Sequence, residues 1–357
     1  MKNILISTGG SGGHVIPALI LYEHLKEKYN VFISSDNRGI KFLDKDKDED
    51  FIKIINVPKI KKNIFLIPFQ AILLLTLIFK SLFFLKKKKI EIVISTGGYM
   101  SLPLCVASKV FNIRLFLFEP NMVLGRTNKL FLSSCTKVLC YSDKIKKFPD
   151  KLKDKIFLIP PLLRKEFYQT KISTTIEEKI NLLIIGGSQG ASLFDNLIKD
   201  TILDISKKYK LKVFHQTGLN NYNSLKDFYL KNEIDNELFD FNEKISNFMS
   251  RSNICITRAG ASTLAELTFL NIPYIAIPLP SAKDNHQLEN ALFYYKLGCN
   301  WILNQNEITT TNLTSELLNI IENKEDCLEK IKKMKNFNYQ NTWNNINQKI
   351  ITIIDEN

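Results

Sequence analysis

The feature that most constrains this fold is a pattern that occurs twice. Near the N-terminus, NILISTGGSGGH (3–14) runs an apolar strand into a glycine-rich turn, and NLLIIGGSQGAS (181–192) repeats the arrangement. A short, uninterrupted apolar run closed by glycines and followed by helical periodicity marks a strand that enters a βα unit. After the first turn the pattern predicts a helix from Pro17 to about Lys28 and strands at 31–35, 51–57, 90–96, 114–121 and 136–142. After the second, KVFHQTG (212–218) reads as a strand with its loop. Ile254 to Ala291 then reads as strand, Gly260 turn, helix, strand, Pro-rich loop and helix. Most of these strands carry a polar or glycine motif at their carboxyl end, the edge where open α/β sheets bind ligands. The expected fold class is therefore α/β, with two doubly wound parallel sheets, one in residues 1–160 and one in 181–335. PPLLRKEFYQTKISTTIEEK breaks the periodicity between them, so 161–180 reads as a linker, and 336–357 as a C-terminal helix expected to pack back on the first domain. A glycine loop in each half points to a cleft with substrate on either side.

A chain of 357 residues suits two domains rather than one small core. Its six cysteines form no C-x-x-C pair and sit mostly in apolar segments, as buried thiols of a reducing compartment do. The N-terminus lacks the long apolar stretch of an export signal, so export is not expected. The net charge of +13 is unevenly spread: residues 51–90 hold nine lysines and no Asp or Glu. Such a face suits a polyanionic partner, although a Lys-rich composition throughout accounts for part of it. Within this window Phe69 to Leu85 is apolar apart from Gln70, Thr76, Lys80 and Ser81. A membrane span needs roughly 20 apolar residues, and the flanking strands belong to one sheet that a span would pull apart. The segment 64–89 is therefore read as a helix docked on its domain, with an apolar face in the membrane interface and lysines at the anionic lipid surface. A fully buried helix is the alternative.

Several residues could carry chemistry. His14 closes the first glycine turn, and an imidazole there could act as general base for a hydroxyl or merely cap the helix. A dinucleotide fingerprint begun at Gly10 ends on Val15, which argues against a dehydrogenase, although Asp36 stands where a ribose-binding acid would. GGSQGA (186–191) offers bare amides and Ser188 at a helix start, without the lysine of a P-loop; it is a phosphate cradle or a plain tight turn. Thr263 and Glu266 have the spacing of a T-x-x-E capping box, so Glu266 could cap its helix or accept sugar hydroxyls. Asp284, His286, Gln287 and Asn290 cluster at another helix start. No metal-ligand spacing and no G-x-S-x-G elbow occurs.

Six segments together carry a resemblance: GGSGGHVIPAL (9–19), STGGYMSLP (95–103), EPNMVLGRTNK (119–129), GGSQGAS (186–192), RAGASTLAE (258–266) and IPLPSAKDNHQLENA (277–291). In this order the set resembles the MurG family, bacterial N-acetylglucosaminyltransferases that make lipid II from lipid I for peptidoglycan. The resemblance implies a GT-B fold of two Rossmann-like domains facing a cleft, with no metal and no cofactor. UDP-N-acetylglucosamine would bind mostly to the C-terminal half. Glu266 would take the ribose hydroxyls, and the backbone of Ala261, Ser262, Thr263, Leu264 and Ala265 would meet the nucleotide and diphosphate. Ser188 would lie nearby, and Gln287 would contact the sugar. On the N-terminal side Ser11, Gly12 and Gly13 would approach phosphates with Asn121 close by, and His14 would be the base. Arg164 matches a substrate-binding position, while Tyr99, Glu119 and Asn128 match positions near the acceptor, lipid I.

Three departures stand out. Phe118 and Pro120 replace the family's usual His and Gln in H-E-Q-N, P-P-L-L-R replaces G-N-P-V-R, and Leu102 replaces a glycine. The implied enzyme is peripheral on the cytoplasmic face of the inner membrane and has no nucleic-acid partner. The alternatives are another nucleotide-sugar transferase acting on a different lipid-linked acceptor, or a nonenzymatic binder of membrane or nucleic acid.

Overall fold

The computed structural model describes residues 1–42, 52–57, 67–170, 179–186, 192–240 and 244–356. Its contacts divide the chain into two units, Met1–Leu162 with Trp343–Asn357, and Leu163–Thr342. In the first, β1 (Asn3–Ser7) leads into α1 (Gly12–Leu25), followed by β2 (Asn30–Ser35), β3 (Ile52–Ile54), α2 (Ile67–Lys87) and β4 (Ile92–Ser95). Then come α3 (Leu102–Val110), β5 (Arg114–Glu119), α4 (Arg126–Phe131), β6 (Lys137–Cys140) and β7 (Ile156–Leu158). All pairings are parallel, in the order β3-β2-β1-β4-β5-β6-β7. Ile4, Leu5 and Ile6 have no exposed surface, which explains why β1 is apolar on both faces rather than alternating.

The strand order reverses between β1 and β4, where Ser7 pairs with Ser95. Loops leaving such a reversal splay apart and leave a crevice, and here they carry residues 9–14 and 96–99. The helix expected to begin at Pro17 begins at Gly12, with Pro17 inside it. The glycines accept helical geometry, so the helix starts early enough to put His14 in its first turn.

α2 rules out the fully buried reading. Leu74, Leu77, Leu82 and Phe84 pack on the core, Ser81 and Leu85 are buried, and α2 lies along α3. Phe69, Ile72, Leu75, Phe79 and Phe83, spaced three and four apart, are each more than half exposed. By length and composition the helix could cross a membrane, yet β3 before it and β4 after it lie in one sheet.

The second unit holds β8 (Lys179–Ile185), α5 (Ser192–Ser206), β9 (Lys210–Gln216), α6 (Leu219–Lys231), β10 (Asp235–Phe239), α7 (Ile245–Ser250) and β11 (Ile254–Thr257). It continues through α8 (Ala261–Phe269), β12 (Tyr274–Ala276), α9 (His286–Lys296), β13 (Trp301–Ile302), α10 (Thr310–Glu322) and α11 (Lys324–Asn338). Its parallel sheet runs β10-β9-β8-β11-β12-β13, with the reversal between β8 and β11. The chain then returns to the first unit as α12 (Trp343–Glu356), which packs on α1. There Trp343 stacks on the buried His24 ring at 3.7 Å between centroids.

Candidate active site

In the first unit the site grows from the turn after β1. His14 Nδ1 lies 2.8 Å from the Thr96 carbonyl oxygen. A carbonyl can only accept, so Nδ1 carries the hydrogen and the neutral ring keeps its lone pair on Nε2. Gly97 and Gly98 support the imidazole, both in the left-handed region at φ 86° and 78°. A Cβ on Gly97 would lie 3.4 Å from His14 Cε1, and one on Gly98 3.7 Å from Nε2. The glycine pair thus supplies both the backbone conformation and the clearance.

The turn itself is anchored by Asp36, buried at the end of β2. Its Oδ1 accepts from the Gly10 and Gly39 amides at 2.8 and 2.9 Å, and its Oδ2 from Arg38 Nε at 2.8 Å. Burial works against its charge, but these donors outweigh it and hold the carboxyl below its ordinary range. Asp36 is an anchor here, with both oxygens engaged, rather than a ribose-binding acid. Arg38 continues to Tyr99, Nη2 donating to the hydroxyl at 3.1 Å.

Glu119 organises the neighbouring loop. Its Oε1 accepts from the Asn121 backbone and side-chain amides at 3.2 and 3.1 Å. Its Oε2 accepts from the Gly125 amide at 2.8 Å and Asn128 Nδ2 at 3.0 Å. Burial pushes its carboxyl up despite these four donors. Asn128 Oδ1 is buried without a hydrogen-bond partner among the described residues, and Asn128 Nδ2 would lie 3.6 Å from a Cβ on Gly97. Phe118 is fully buried, edge-on to Tyr141, so a core side chain fills the position of the family's histidine.

In the second unit the capping-box expectation fails. Gly260 is the N-cap of α8, and the ladder starts with Leu264 N–H donating to the Gly260 carbonyl. Thr263 therefore lies inside the first turn and Glu266 in the second. Glu266 is buried, and its Oε1 accepts from Arg164 Nε and Nη2 at 3.2 and 3.0 Å. Oε2 makes no hydrogen bond among the described residues. Burial raises the Glu266 carboxyl, and Arg164 only partly offsets this. At the start of α8 no side chain caps the first turn and no acidic residue stands in it, so the amides of Ala261, Ser262 and Thr263 begin a positive helix end. Two further side chains pin the adjoining loops. Arg258, buried and lowered to about 10 by that burial, donates to the Ile277 carbonyl, and Asn290 donates to that of Ala259. Gln287 Oε1 accepts from the Leu279 amide at 2.9 Å, which directs its NH2 group to other partners. Ser188 lies outside the described residues.

Two family models match the chain in order: the glycosyltransferase family 28 N-terminal domain over residues 4–140 and its C-terminal domain over 181–346, with Arg164 between them. A curated UDP-N-acetylglucosamine–N-acetylmuramyl-(pentapeptide) pyrophosphoryl-undecaprenol N-acetylglucosamine transferase of Pelagibacter ubique is 59% identical over 356 residues, covering 100% of this chain and 99% of that protein. The chain belongs to the MurG family of glycosyltransferases. A Rickettsia canadensis protein of the same description is 35% identical, with 90% and 92% of the two chains covered. The crystal structure of Acinetobacter baumannii MurG matches with a TM-score of 0.79 at 24% identity, covering 100% of both chains. The two parallel-sheet units are thus those of a GT-B fold. Within this MurG-family chain the structure brings His14 and Asn128 to one glycine pair, and Arg164 to Glu266. Sequence reasoning missed three contributors. Thr96 acts through a backbone carbonyl, which leaves no mark in sequence. Arg38 was legible only as part of D-x-R-G after β2. Arg258 stood inside a quoted motif without a role.

Proposed function

We propose that this enzyme transfers N-acetylglucosamine from UDP-N-acetylglucosamine to the C4 hydroxyl of the muramyl unit of lipid I, giving lipid II. The observation that carries the chemistry is the His14–Thr96 hydrogen bond, which leaves the imidazole lone pair on Nε2. In a direct displacement, Nε2 takes the proton of the C4 hydroxyl as its oxygen bonds to the donor's anomeric carbon. The bond from that carbon to the diphosphate oxygen breaks, and UDP leaves with inversion. The leaving diphosphate gains negative charge, which the amides at the start of α8 are suited to stabilise. Glu266 Oε2 would accept the ribose hydroxyls, and the Gln287 NH2 group would donate to the sugar. Asn128 Oδ1 is suited to accept from an acceptor hydroxyl, while Glu119 acts indirectly by holding Asn121 and Asn128. The exposed stripe of α2, with Lys86–Lys89 at its end, would seat the enzyme peripherally on the anionic cytoplasmic leaflet.

The test is transfer of radiolabel from UDP-N-acetylglucosamine to a lipid I analogue. Wild type forms the disaccharide product. His14→Ala loses about a hundredfold or more in kcat while binding UDP as before. A His14→Ala enzyme with normal turnover would remove His14 as the base.

A further inference from the structure

We propose that Arg38 is the cation that meets the acceptor's diphosphate on the N-terminal unit, with Tyr99 as its hydrogen-bonding companion. The assignment rests on the acceptor being a muramyl diphosphate, as proposed above.

Arg38 follows β2, the neighbour of β1, so it lies on the same carboxyl edge as the glycine turn. An exposed Arg–Asp pair is usually worth little, and a bland surface pair is the competing reading. This pair differs because the Asp36 side chain is only 3% exposed, against 48% for Arg38. Asp36 shares its single charge among two glycine amides and the guanidinium, so it fixes Arg38 in place without fully neutralising it. Of the guanidinium nitrogens, Nε is engaged by Asp36 and Nη2 by Tyr99. Nη1 makes no hydrogen bond among the described residues. The Tyr99 hydroxyl accepts from Arg38, which leaves its own hydrogen to donate outward.

The guanidinium stands over the turn. A Cβ on Gly10, which has φ 90°, would come within 3.7 Å of Arg38 Nη2. A bare backbone there keeps the space above the turn open to an anion. The same turn opens α1, a 14-residue helix whose N-cap Ser11 makes no side-chain bond and whose first turn holds no acidic residue. Its positive end therefore points to the same space. The base is close by. Gly98, adjacent to Tyr99 in sequence, would bring a Cβ within 3.7 Å of His14 Nε2 and 3.5 Å of the Gly9 carbonyl. In the acceptor the attacking C4 hydroxyl and the C1 diphosphate lie at opposite ends of one sugar ring. A base and a cation flanking the Gly98–Tyr99 step match that separation in kind.

The experiment compares Arg38→Gln and Arg38→Lys with wild type, using a diphosphate acceptor analogue and the same muramyl peptide carrying a single phosphate. Arg38→Gln is expected to raise KM for the diphosphate analogue about tenfold, to move KM for the single-phosphate analogue much less, and to leave KM for UDP-N-acetylglucosamine unchanged. Arg38→Lys recovers part of the loss. A purely structural role in holding the turn would lower kcat for both analogues alike, and that result would overturn the assignment. A calorimetric titration of inorganic pyrophosphate, with UDP saturating, reads the same site without turnover. Wild type binds and Arg38→Gln binds about tenfold more weakly; equal affinities would also overturn the assignment. Loss of pyrophosphate binding in Arg38→Gln, with no transfer to lipid I by wild type, would uphold Arg38 and sink the proposed acceptor instead.

Discussion

Two opposing influences act on the Glu266 carboxylate. Burial raises its affinity for a proton, the Arg164 guanidinium lowers it, and burial prevails. A carboxyl raised in the folded state holds its proton more tightly than the unfolded chain does. Protonation of Glu266 therefore favours folding, and that contribution is lost as pH rises through the raised value. In the proposed ribose-binding role the sense is opposite, because only the ionised group accepts hydroxyl hydrogens at both oxygens. UDP affinity should hold near neutral pH and fall on acidification, starting above the ordinary carboxylate range. Glu266→Gln should bind UDP more weakly and with a flat profile over the same range. Calorimetry with UDP across that range checks both, and an unchanged profile in the variant would assign the titration elsewhere. Sequence alone singled out Glu266 but misjudged its surroundings. The T-x-x-E spacing imitates a capping box, whereas the N-cap is Gly260, three residues before Thr263, and the helix begins at Ala261. His14 was legible as a loop histidine. Its tautomer was not, since the Thr96 carbonyl that sets it belongs to no particular side chain.

Elements were more legible than their ends. Apolar runs located the central strands of both sheets, which are buried on two faces, but not the short or partly exposed edge strands β7, β10 and β13. Pro17 misplaced the start of α1, since glycines 12 and 13 can be helical when an anchored turn holds them there. For α2, composition announced an apolar helix, and only the packing sorts its faces. Leu85 is 1% exposed while Phe79 and Phe83 are 69% and 70% exposed. Exposed side chains contribute little to folding, so replacing Phe79 and Phe83 with Glu should shift stability by no more than about 1 kcal/mol. The same variant should no longer float with anionic vesicles. Replacing Lys86, Lys87, Lys88 and Lys89 with Gln should weaken flotation on anionic vesicles and leave neutral ones unaffected, because each lysine near such a surface contributes about 1 kcal/mol. Undiminished flotation in both variants would remove α2 as the docking element.

At the scale of the whole molecule, the first unit is discontinuous in sequence. Ile346, Ile350, Ile353 and Ile354 of α12 are buried in it. Lys2, Lys28 and Tyr29 all donate to Asp355, and Arg114 donates to the Ile354 carbonyl. Lys28, then Lys2, hold the Asp355 carboxyl well below its ordinary range. At about 1.5–3 kcal/mol per fully buried isoleucine, α12 contributes on the order of the entire stability of a domain. A chain cut before Trp343 should therefore lose the thermal transition and protease resistance of residues 1–162, while 163–342 still melts cooperatively. Intact protection of 1–162 in the truncated chain would refute this. The repeated glycine pattern disclosed the number of sheets, but no local signal pairs Trp343 with His24 across such a distance in sequence.

The order of synthesis then matters. Residues 1–162 leave the ribosome first, yet their unit is completed only when residues 343–356 emerge, so the 163–342 unit is the first whose whole sequence is available. Throughout that interval the α1 surface that α12 will cover is bare, and the nascent chain carries it alongside the apolar stripe of α2. A chaperone that holds exposed apolar segments has its longest access to this protein during that wait, and interrupted translation leaves an N-terminal half that proteases can clear.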